Sequence, residues 1–402
     1  MRFQLTDEQR DFREEVRMFA REEIEPKARD LDRAGEYPAE ILAELGERRL
    51  TGLTIPETYG GRGEGLVELA LMTEELSAAL MSVASALALH LGVAAVVERF
   101  GTDEQRERLL PEMATYETVA ALGLSERNAG SDKLAMETTA ERDENAEKRG
   151  DDEGGDDESV GEWILNGHKR WVTNYLDADV VLTYAKTGPD EAAPHNVSAF
   201  LVPVEEFEVE RVWDTLGARS AKAVEVTLSD VRVPDDRLVG EEGEAYVERG
   251  RVNTGVNVPA RGVGIARAAL EDALEYVEQR EQFARRIGDF QGVRWTVGEM
   301  AERVDTARLL TLRAADRADR ANRADSGEDL SREISMAKLH ATQAAVDNAN
   351  DALQLHGGVG YTTERHVERY LRDARLLTIA GGPNEGHRDA LAEAVFARHS
   401  QE

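Results

Sequence analysis

Apolar residues recur at helical spacing in the first and last thirds of the chain, and at strand spacing in between. Thr6-Asp7-Glu8-Gln9 places a capping residue three positions before a Gln, and Phe12, Val16 and Phe19 follow at helical intervals, predicting a first amphipathic helix. Pro26 suits its end or a bend. Ile41, Leu42 and Leu45 predict a second helix, and Thr54-Ile55-Pro56-Glu57-Thr58-Tyr59-Gly60-Gly61 reads as a turn-rich loop. Leu69 to Leu91 is a helical run through Met72, Leu76, Leu80, Val83 and Leu87, apolar over so wide an arc that neighbours must cover it. Gly101-Thr102-Asp103-Glu104-Gln105 opens another capped helix.

From about residue 118 the pattern changes to short runs: Trp163-Ile164-Leu165, Val180 to Tyr184, Ala199 to Val202 and Val224 to Leu228. Asn166-Gly167 reads as a hairpin turn between strands. Glu141 to Glu158 carries ten acidic residues against three basic ones, with almost nothing apolar to bury, and reads as a solvated loop at a hairpin tip. After Pro234 the helical period returns. Ile265, Ala269, Ala273 and Val277 share one face, as do Val297, Ala301, Val304 and Leu310, and the pattern stops at Asp325-Ser326-Gly327. A third long helix, Ile334 to Leu355, carries Ala337, Ala341, Ala345 and Ala352 for close approach, so the three make an antiparallel bundle. The expected organisation is α+β, mainly α: a helical unit over 1–117, a β-unit over 118–238 and a helical bundle over 239–402.

Composition narrows the chemistry. The chain has 402 residues, 41% of them apolar, and a net charge of −31, with 80 Asp and Glu, 42 Arg and only 7 Lys. So acidic a surface repels nucleic acid and anionic membranes, and repels itself unless counterions screen it. It reads as adaptation to a salty cytoplasm, as in a halophile. The absence of cysteine excludes disulfides, thiolate metal sites and thiol catalysis. No carboxylate or histidine spacing suggests a metal. No apolar stretch reads as a signal or a membrane span, so a soluble cytoplasmic protein is expected.

Two stretches carry candidate chemistry. Ala121-Leu122-Gly123-Leu124-Ser125-Glu126-Arg127-Asn128-Ala129-Gly130-Ser131-Asp132 runs from a buried strand end into a polar turn able to approach a flat ligand. In Lys169-Arg170-Trp171-Val172-Thr173-Asn174 an indole and a hydroxyl stand two apart, on one face if the segment is a strand. Together they resemble the flavin-binding segments of the acyl-CoA dehydrogenase family, and Pro56-Glu57-Thr58-Tyr59-Gly60-Gly61 is similar to another of its elements. The likeness extends from Leu5 to the C-terminus. It implies an N-terminal helical domain, a middle β-barrel-like domain, a C-terminal four-helix bundle, bound FAD and an acyl-CoA substrate. It also implies electron-transfer flavoprotein as acceptor and a homo-oligomer built as a dimer of dimers.

By motif match the resemblance places Leu122, Leu124 and Ser125 at the isoalloxazine edge, Ser131 near flavin and substrate, and Trp171 and Thr173 over the ring. Arg280, Gln282, Phe283, Gln291, Gln354 and Gly358 correspond to the residues that serve the diphosphate and adenine end of a flavin bound mainly by the neighbouring subunit. Asn384 joins the cofactor set, and Arg251 and Gly382 the substrate set. The family's usual base is the Glu of a Tyr-Glu-Gly-Thr turn, and the matching stretch here is Ala380-Gly381-Gly382-Pro383, with Gly381 at the Glu position. An alternative family position, on an earlier helix before an Arg, falls on Thr254 and Gly255. Gly381 still offers its backbone N–H to a thioester. Glu385 is a candidate substitute base, Glu248 a weaker one, and His356, His366 and His387 are candidate proton carriers. The expected activity is FAD-dependent α,β-dehydrogenation of an acyl-CoA. Its rivals are a monooxygenase or oxidase of the same fold, and a non-enzymatic flavoprotein.

The charge yields a first prediction. Screening lengths shrink to ~3 Å at molar salt, so the melting temperature should rise steeply between low and molar potassium chloride. Equal melting temperatures under the two conditions would refute this account of the charge.

Overall fold

The computed structural model describes residues 4–143, 161–248, 254–324 and 326–399. Most of the expected acidic loop, residues 144–158, and Arg251 lie outside the described residues. Six helices come first: α1 (Asp7–Phe19), α2 (Glu25–Ala34), α3 (Ala39–Glu47), α4 (Leu66–Ala79), α5 (Met81–Phe100) and α6 (Asp103–Thr115). Both capping boxes form as their spacing predicts, Thr6 with Gln9 and Thr102 with Gln105. Pro26 does not end or bend α1. It sits in the first turn of α2, where its missing N–H costs nothing, and a π-helical turn, Ala20–Ile24, joins the two helices.

The expected single helix from Leu69 to Leu91 is two helices. Leu80 is extended (φ −153°, ψ 109°) and buried, so the chain turns between α4 and α5. Both helices are apolar on nearly every side, which leaves no phase in the pattern to mark the break. Contrary to the reading above, α5 is by length and composition apolar enough to cross a membrane; here it is a core helix, 78% of its apolar window buried inside the protein.

Strands β1 (Ala120–Gly123), β2 (Thr139–Arg142), β3 (Glu162–Val172), β4 (Val180–Lys186), β5 (Val197–Pro203), β6 (Glu208–Val212), β7 (Val224–Pro234) and β8 (Leu238–Val239) form one mixed sheet. Its order is β6-β7-β3-β2-β4-β5-β8, with β1 parallel to β4. The barrel does not close. Among the described residues β6 and β8 are free edges, because β5 meets only two residues of β8 on its outer side. Val180, Leu182 and Tyr184 pack toward Val93, Val97, Leu110 and Met113 of α5 and α6. Val181 and Ala185 turn the other way, into a core with Trp163, Phe200 and Val226. Asn166-Gly167 is no hairpin turn. It lies inside β3 at a bulge against β7, where the Asn166 side chain accepts a hydrogen bond from the Asp230 N–H (2.8 Å). The hairpin partners are β2 and β3, paired from Thr139 opposite Asn166 to Arg142 opposite Trp163.

The C-terminal part comprises α7 (Glu244–Glu248), α8 (Asn257–Gln279), a ribbon of β9 (Glu281–Gln282) and β10 (Arg285–Arg286), α9 (Gln291–Ala324), α10 (Ser331–His356), α11 (Val367–Leu377) and α12 (Asn384–His399). Helices α8, α9, α10 and α11 make the bundle. The four predicted small positions of α10 are all fully buried. Helix α4 crosses α8 so closely that a Cβ on Gly264 would collide with the Glu74 carbonyl oxygen.

At that crossing two buried carboxylates hold the helical parts together. Glu74 accepts from Arg13 of α1 (2.9 Å), Arg267 of α8 (3.1 Å) and Arg308 of α9 (2.7 Å). Glu75 accepts from Arg13 (2.6 Å), Arg17 (3.1 Å) and Arg267 (2.6 Å). Burial alone would push the Glu74 carboxyl up, but the hydrogen bonds and charges of Arg308, Arg267 and Arg13 hold it at about 2. The stability this supplies is present above the ordinary value of 4.5 and is lost as pH falls from there toward 2. Glu74→Gln leaves three guanidinium groups short of a partner and should cost about 3–5 kcal/mol. Urea unfolding at neutral pH tests this, and a loss under ~1 kcal/mol would show the network to be incidental.

Candidate active site

The polar turn after β1 is strapped to β3 residue by residue. The Arg170 N–H donates to the Ser125 carbonyl (2.8 Å), Lys169 Nζ to Glu126 Oε1 (2.6 Å), and the Arg127 N–H to His168 Nε2 (2.9 Å), in antiparallel order. The central pair is buried on both sides. Burial draws Lys169 down to about 8, against the pull of Glu126. Burial would raise Glu126, but Lys169 together with donors from the Glu137 amide and Thr138 holds it below the usual carboxylate range, so the pair is ionised at neutral pH.

Above this pair the strand changes character. Trp171 has φ +59° at a second bulge between Lys169 and Val172, so it does not share a face with Thr173, which lies beyond the strand end. Simple alternation would bury Trp171 beside Lys169; the left-handed backbone instead leaves its ring 49% exposed. One flank of the ring rests on Trp213 (centroids 4.7 Å apart), with the Arg170 guanidinium over both rings. The Thr173 hydroxyl has no partner among the described residues. Asn174 fixes the segment from behind, donating to the Ala86 (2.8 Å) and Ala120 (3.2 Å) carbonyls. His90, lowered to about 4 by burial, bridges the Met113 carbonyl and the Ala120 N–H and so seats the start of β1.

The C-terminal turn is the third part. Gly381 and Gly382 both have positive φ (+68° and +92°). A Cβ on Gly381 would lie 2.8 Å from Val258 Cγ2 of α8, the helix that follows Thr254-Gly255 in the chain. Lys338 of α10 donates to the Gly382 carbonyl (2.6 Å) and to Asn384 Oδ1 (2.7 Å), and burial draws it down to about 8. His387 reaches the Gly381 carbonyl from another side (3.0 Å). Its imidazole is pushed down by burial and also by the charges of Lys338 and Lys133. Beyond Ser131 an open cavity of about 1020 Å³ is lined by Asp132, Leu134, Met136, Thr139, Lys186 and Pro189 among others.

Not every candidate gathers here. Leu122, Leu124, Ser125, Trp171 and Thr173 form one neighbourhood. Arg280, Gln282, Phe283 and Gln291 are exposed around the ribbon between α8 and α9, with Phe283 89% exposed. Gln354 and Gly358 join them at the same end of the bundle, where His356 stacks on Tyr276 at 4.3 Å. No hydrogen bond or ring contact joins the two neighbourhoods among the described residues. Glu385 is exposed and paired with Arg388 (3.1 Å), and Asn384 is buried with its side-chain oxygen taken by Lys338 and Thr342. His366 is drawn down to about 4 by burial and nearby Arg charges. Sequence reasoning missed Lys169, Glu126, Lys338 and Trp213. Lys169 and Glu126 lie within the quoted stretches, and charged residues in otherwise apolar strand and turn segments were the available signal.

Residues 6–117, 121–231 and 245–396 match the N-terminal, middle and C-terminal domains of acyl-CoA dehydrogenases, respectively. The chain belongs to the acyl-CoA dehydrogenase family. It is 36% identical to the probable acyl-CoA dehydrogenase YngJ of Bacillus subtilis over 98% of this chain and 100% of that one. The structure of butyryl-CoA dehydrogenase from Megasphaera elsdenii superposes with a TM-score of 0.89 at 29% identity, over 98% of this chain and 100% of that one. A prolyl acyl carrier protein oxidase, AnaB, matches with a TM-score of 0.85 at 25% identity, over 98% and 100%.

FAD is the family cofactor, and the residues present fit it. A Cβ on Gly130 or Gly358 meets nothing within 4 Å, so the backbone there faces open space, and Trp171 and Thr173 offer a half-exposed ring and an unpartnered hydroxyl. Lys169→Met would leave Glu126 buried without its cation and untie the turn from the strand bearing Trp171. We expect a loss of about 3–5 kcal/mol and weaker FAD retention, read by thermal unfolding and by flavin content after gel filtration. Full flavin content and an unchanged melting temperature would show that the pair does not organise the site.

Proposed function

We propose that this protein carries out FAD-dependent α,β-dehydrogenation of an acyl-CoA thioester, with Gly381 standing where the family base is expected. The observation that carries this reading is the strapping of the Ser125–Arg127 turn to the strand segment that bears Trp171, which sets a half-exposed indole and an unpartnered Thr173 hydroxyl beside the end of β1. The flavin, when bound, supplies a hydride acceptor for the substrate Cβ. Leu122, Leu124 and Ser125 would border the ring, Trp171 and Thr173 would cover it, and Ser131 would face both flavin and substrate. The Gly381 N–H would polarise the thioester carbonyl, which acidifies the α-carbon. Arg280, Gln282, Phe283, Gln291, Gln354 and Gly358 would hold the diphosphate and adenine end contributed by a neighbouring subunit. Their separation from the Trp171 neighbourhood supports that arrangement, and with it a dimer of dimers. An electron-transfer flavoprotein as acceptor and a cytoplasmic setting complete the reading.

Proton abstraction is the weak link. The Glu385 carboxylate is occupied by Arg388 on the surface of α12, which disfavours it as the substitute base. Lack of a positioned base costs roughly 10²–10⁴-fold. The bare turn also favours a second reading, an oxidase or monooxygenase of the same fold that needs no carboxylate at Cα.

Anaerobic flavin bleaching by a panel of saturated acyl-CoAs separates the two. The wild type should bleach slowly. Gly381→Glu alone should gain little, because φ is +68° and the new Cβ meets Val258. Gly381→Glu combined with Val258→Ala relieves the collision and should recover part of the roughly 10²–10⁴-fold factor. Brisk wild-type bleaching would show that another group is the base, while no bleaching in any variant, with NADPH- or reduced-flavin-dependent oxygen uptake, would favour the second reading.

A further inference from the structure

We propose that His387 is a positioning residue that aims the backbone donors of the Gly381-Gly382 turn at a thioester carbonyl; this rests on the acyl-CoA reading above. The turn has no side chains of its own, so its donors depend on what holds its carbonyls. The His387 ring spans two fixed partners: Nε2 lies 3.0 Å from the Gly381 carbonyl oxygen and Nδ1 lies 3.0 Å from Ser335 Oγ on α10. A carbonyl only accepts, so Nε2 carries the proton, and Nδ1 accepts from the Ser335 hydroxyl. The ring is thereby fixed at both ends.

A trans peptide is planar, with its C=O and N–H pointing in opposite directions. Anchoring the Gly381 carbonyl to His387 therefore turns the Gly382 N–H away from the ring and away from α10. Lys338 anchors the next carbonyl, that of Gly382, at 2.6 Å. The peptide that follows belongs to Pro383 and offers no N–H, so Lys338 fixes the turn without removing a donor. Neither the Gly381 nor the Gly382 N–H has an acceptor among the described residues. Two adjacent amides, unpartnered and braced from behind, are the elements of an oxyanion-binding site. The fit is close as well: a Cβ on Gly382 would lie 3.3 Å from His387 Nε2, so a side chain there would push the ring by a few tenths of an ångström.

The experiment uses the full-length, FAD-loaded protein and acetoacetyl-CoA, whose enolate gives a long-wavelength absorption band over oxidised flavin. Enolate formation responds to hydrogen bonding at the thioester oxygen, and global stability alone does not move it. Wild type should bind and give the band. His387→Leu should keep its FAD but bind about 10-fold or more weakly and lose most of the band, an effect bounded above by the roughly 10²–10³-fold cost of a lost oxyanion donor. His387→Gln, which keeps a side-chain N–H, should restore a substantial part of both. Equal binding and an equal band in wild type and His387→Leu would overturn the proposal while leaving the acyl-CoA reading intact. Failure of the FAD-loaded wild type to bind the thioester would overturn both. Should His387→Leu lose its flavin, Ser335→Ala decides: it keeps the ring but frees one end, and unchanged binding and band there would overturn the proposal.

Discussion

The buried charges of this chain are held by converging polar partners, and the largest ion-pair cluster among the described residues joins its helical parts. Glu74 and Glu75 sit in the middle of α4, nearly inaccessible, and are tolerable there because four arginines from α1, α8 and α9 converge on them. Removing two carboxylates from water costs several kcal/mol each, and only several well-aligned donors offset it. The forked guanidinium suits the task, since Arg13 and Arg267 each serve both carboxylates. The close crossing at Gly264 then fixes α4 on α8, and α8 begins at the residues that face the Gly381 turn.

A related constraint recurs in the candidate site with a different cation. Among the described residues two lysines are fully buried, and both hold parts of the candidate site. Lys169 ties the turn after β1 to the strand through one carboxylate, and Lys338 collects oxygens of the C-terminal turn. A compact ammonium with three donors can gather oxygens in a space too small for a guanidinium. Loop, strand and turn are thus set by interior charges, while the groups proposed to touch flavin or thioester are a ring, hydroxyls and backbone amides held from behind.

Much of this was legible in the sequence. The capping boxes at Thr6 and Thr102, the strand cores around Val180 and Ala199, and the alanine face of α10 follow from local spacing, and the structure contains them. Three local readings failed because packing outweighed pattern. The break at Leu80 is invisible in a run with apolar residues on nearly every side, Asn166-Gly167 serves a bulge instead of a turn, and Trp171 leaves the alternation of its strand by a left-handed backbone.

The sequence by itself determined the order helical, β, helical, the family, and the residue types at each motif, because these rest on periods and spacings a few residues long. Only the tertiary structure decided that the sheet stays open, that Gly381 and Val258 are neighbours, and that Glu385 turns to Arg388. Only it showed His387 and Lys338 gripping the two carbonyls of a bare turn. Gly381 and Val258 stand 123 positions apart and Lys338 and Gly382 44 apart, while the short-range pairs Glu385–Arg388 and His387–Gly381 depend on the backbone course of the turn. A hydrogen bond reaches about 3 Å whatever the separation along the chain, so the pairing exists only once α8, α10 and the C-terminal turn are packed together.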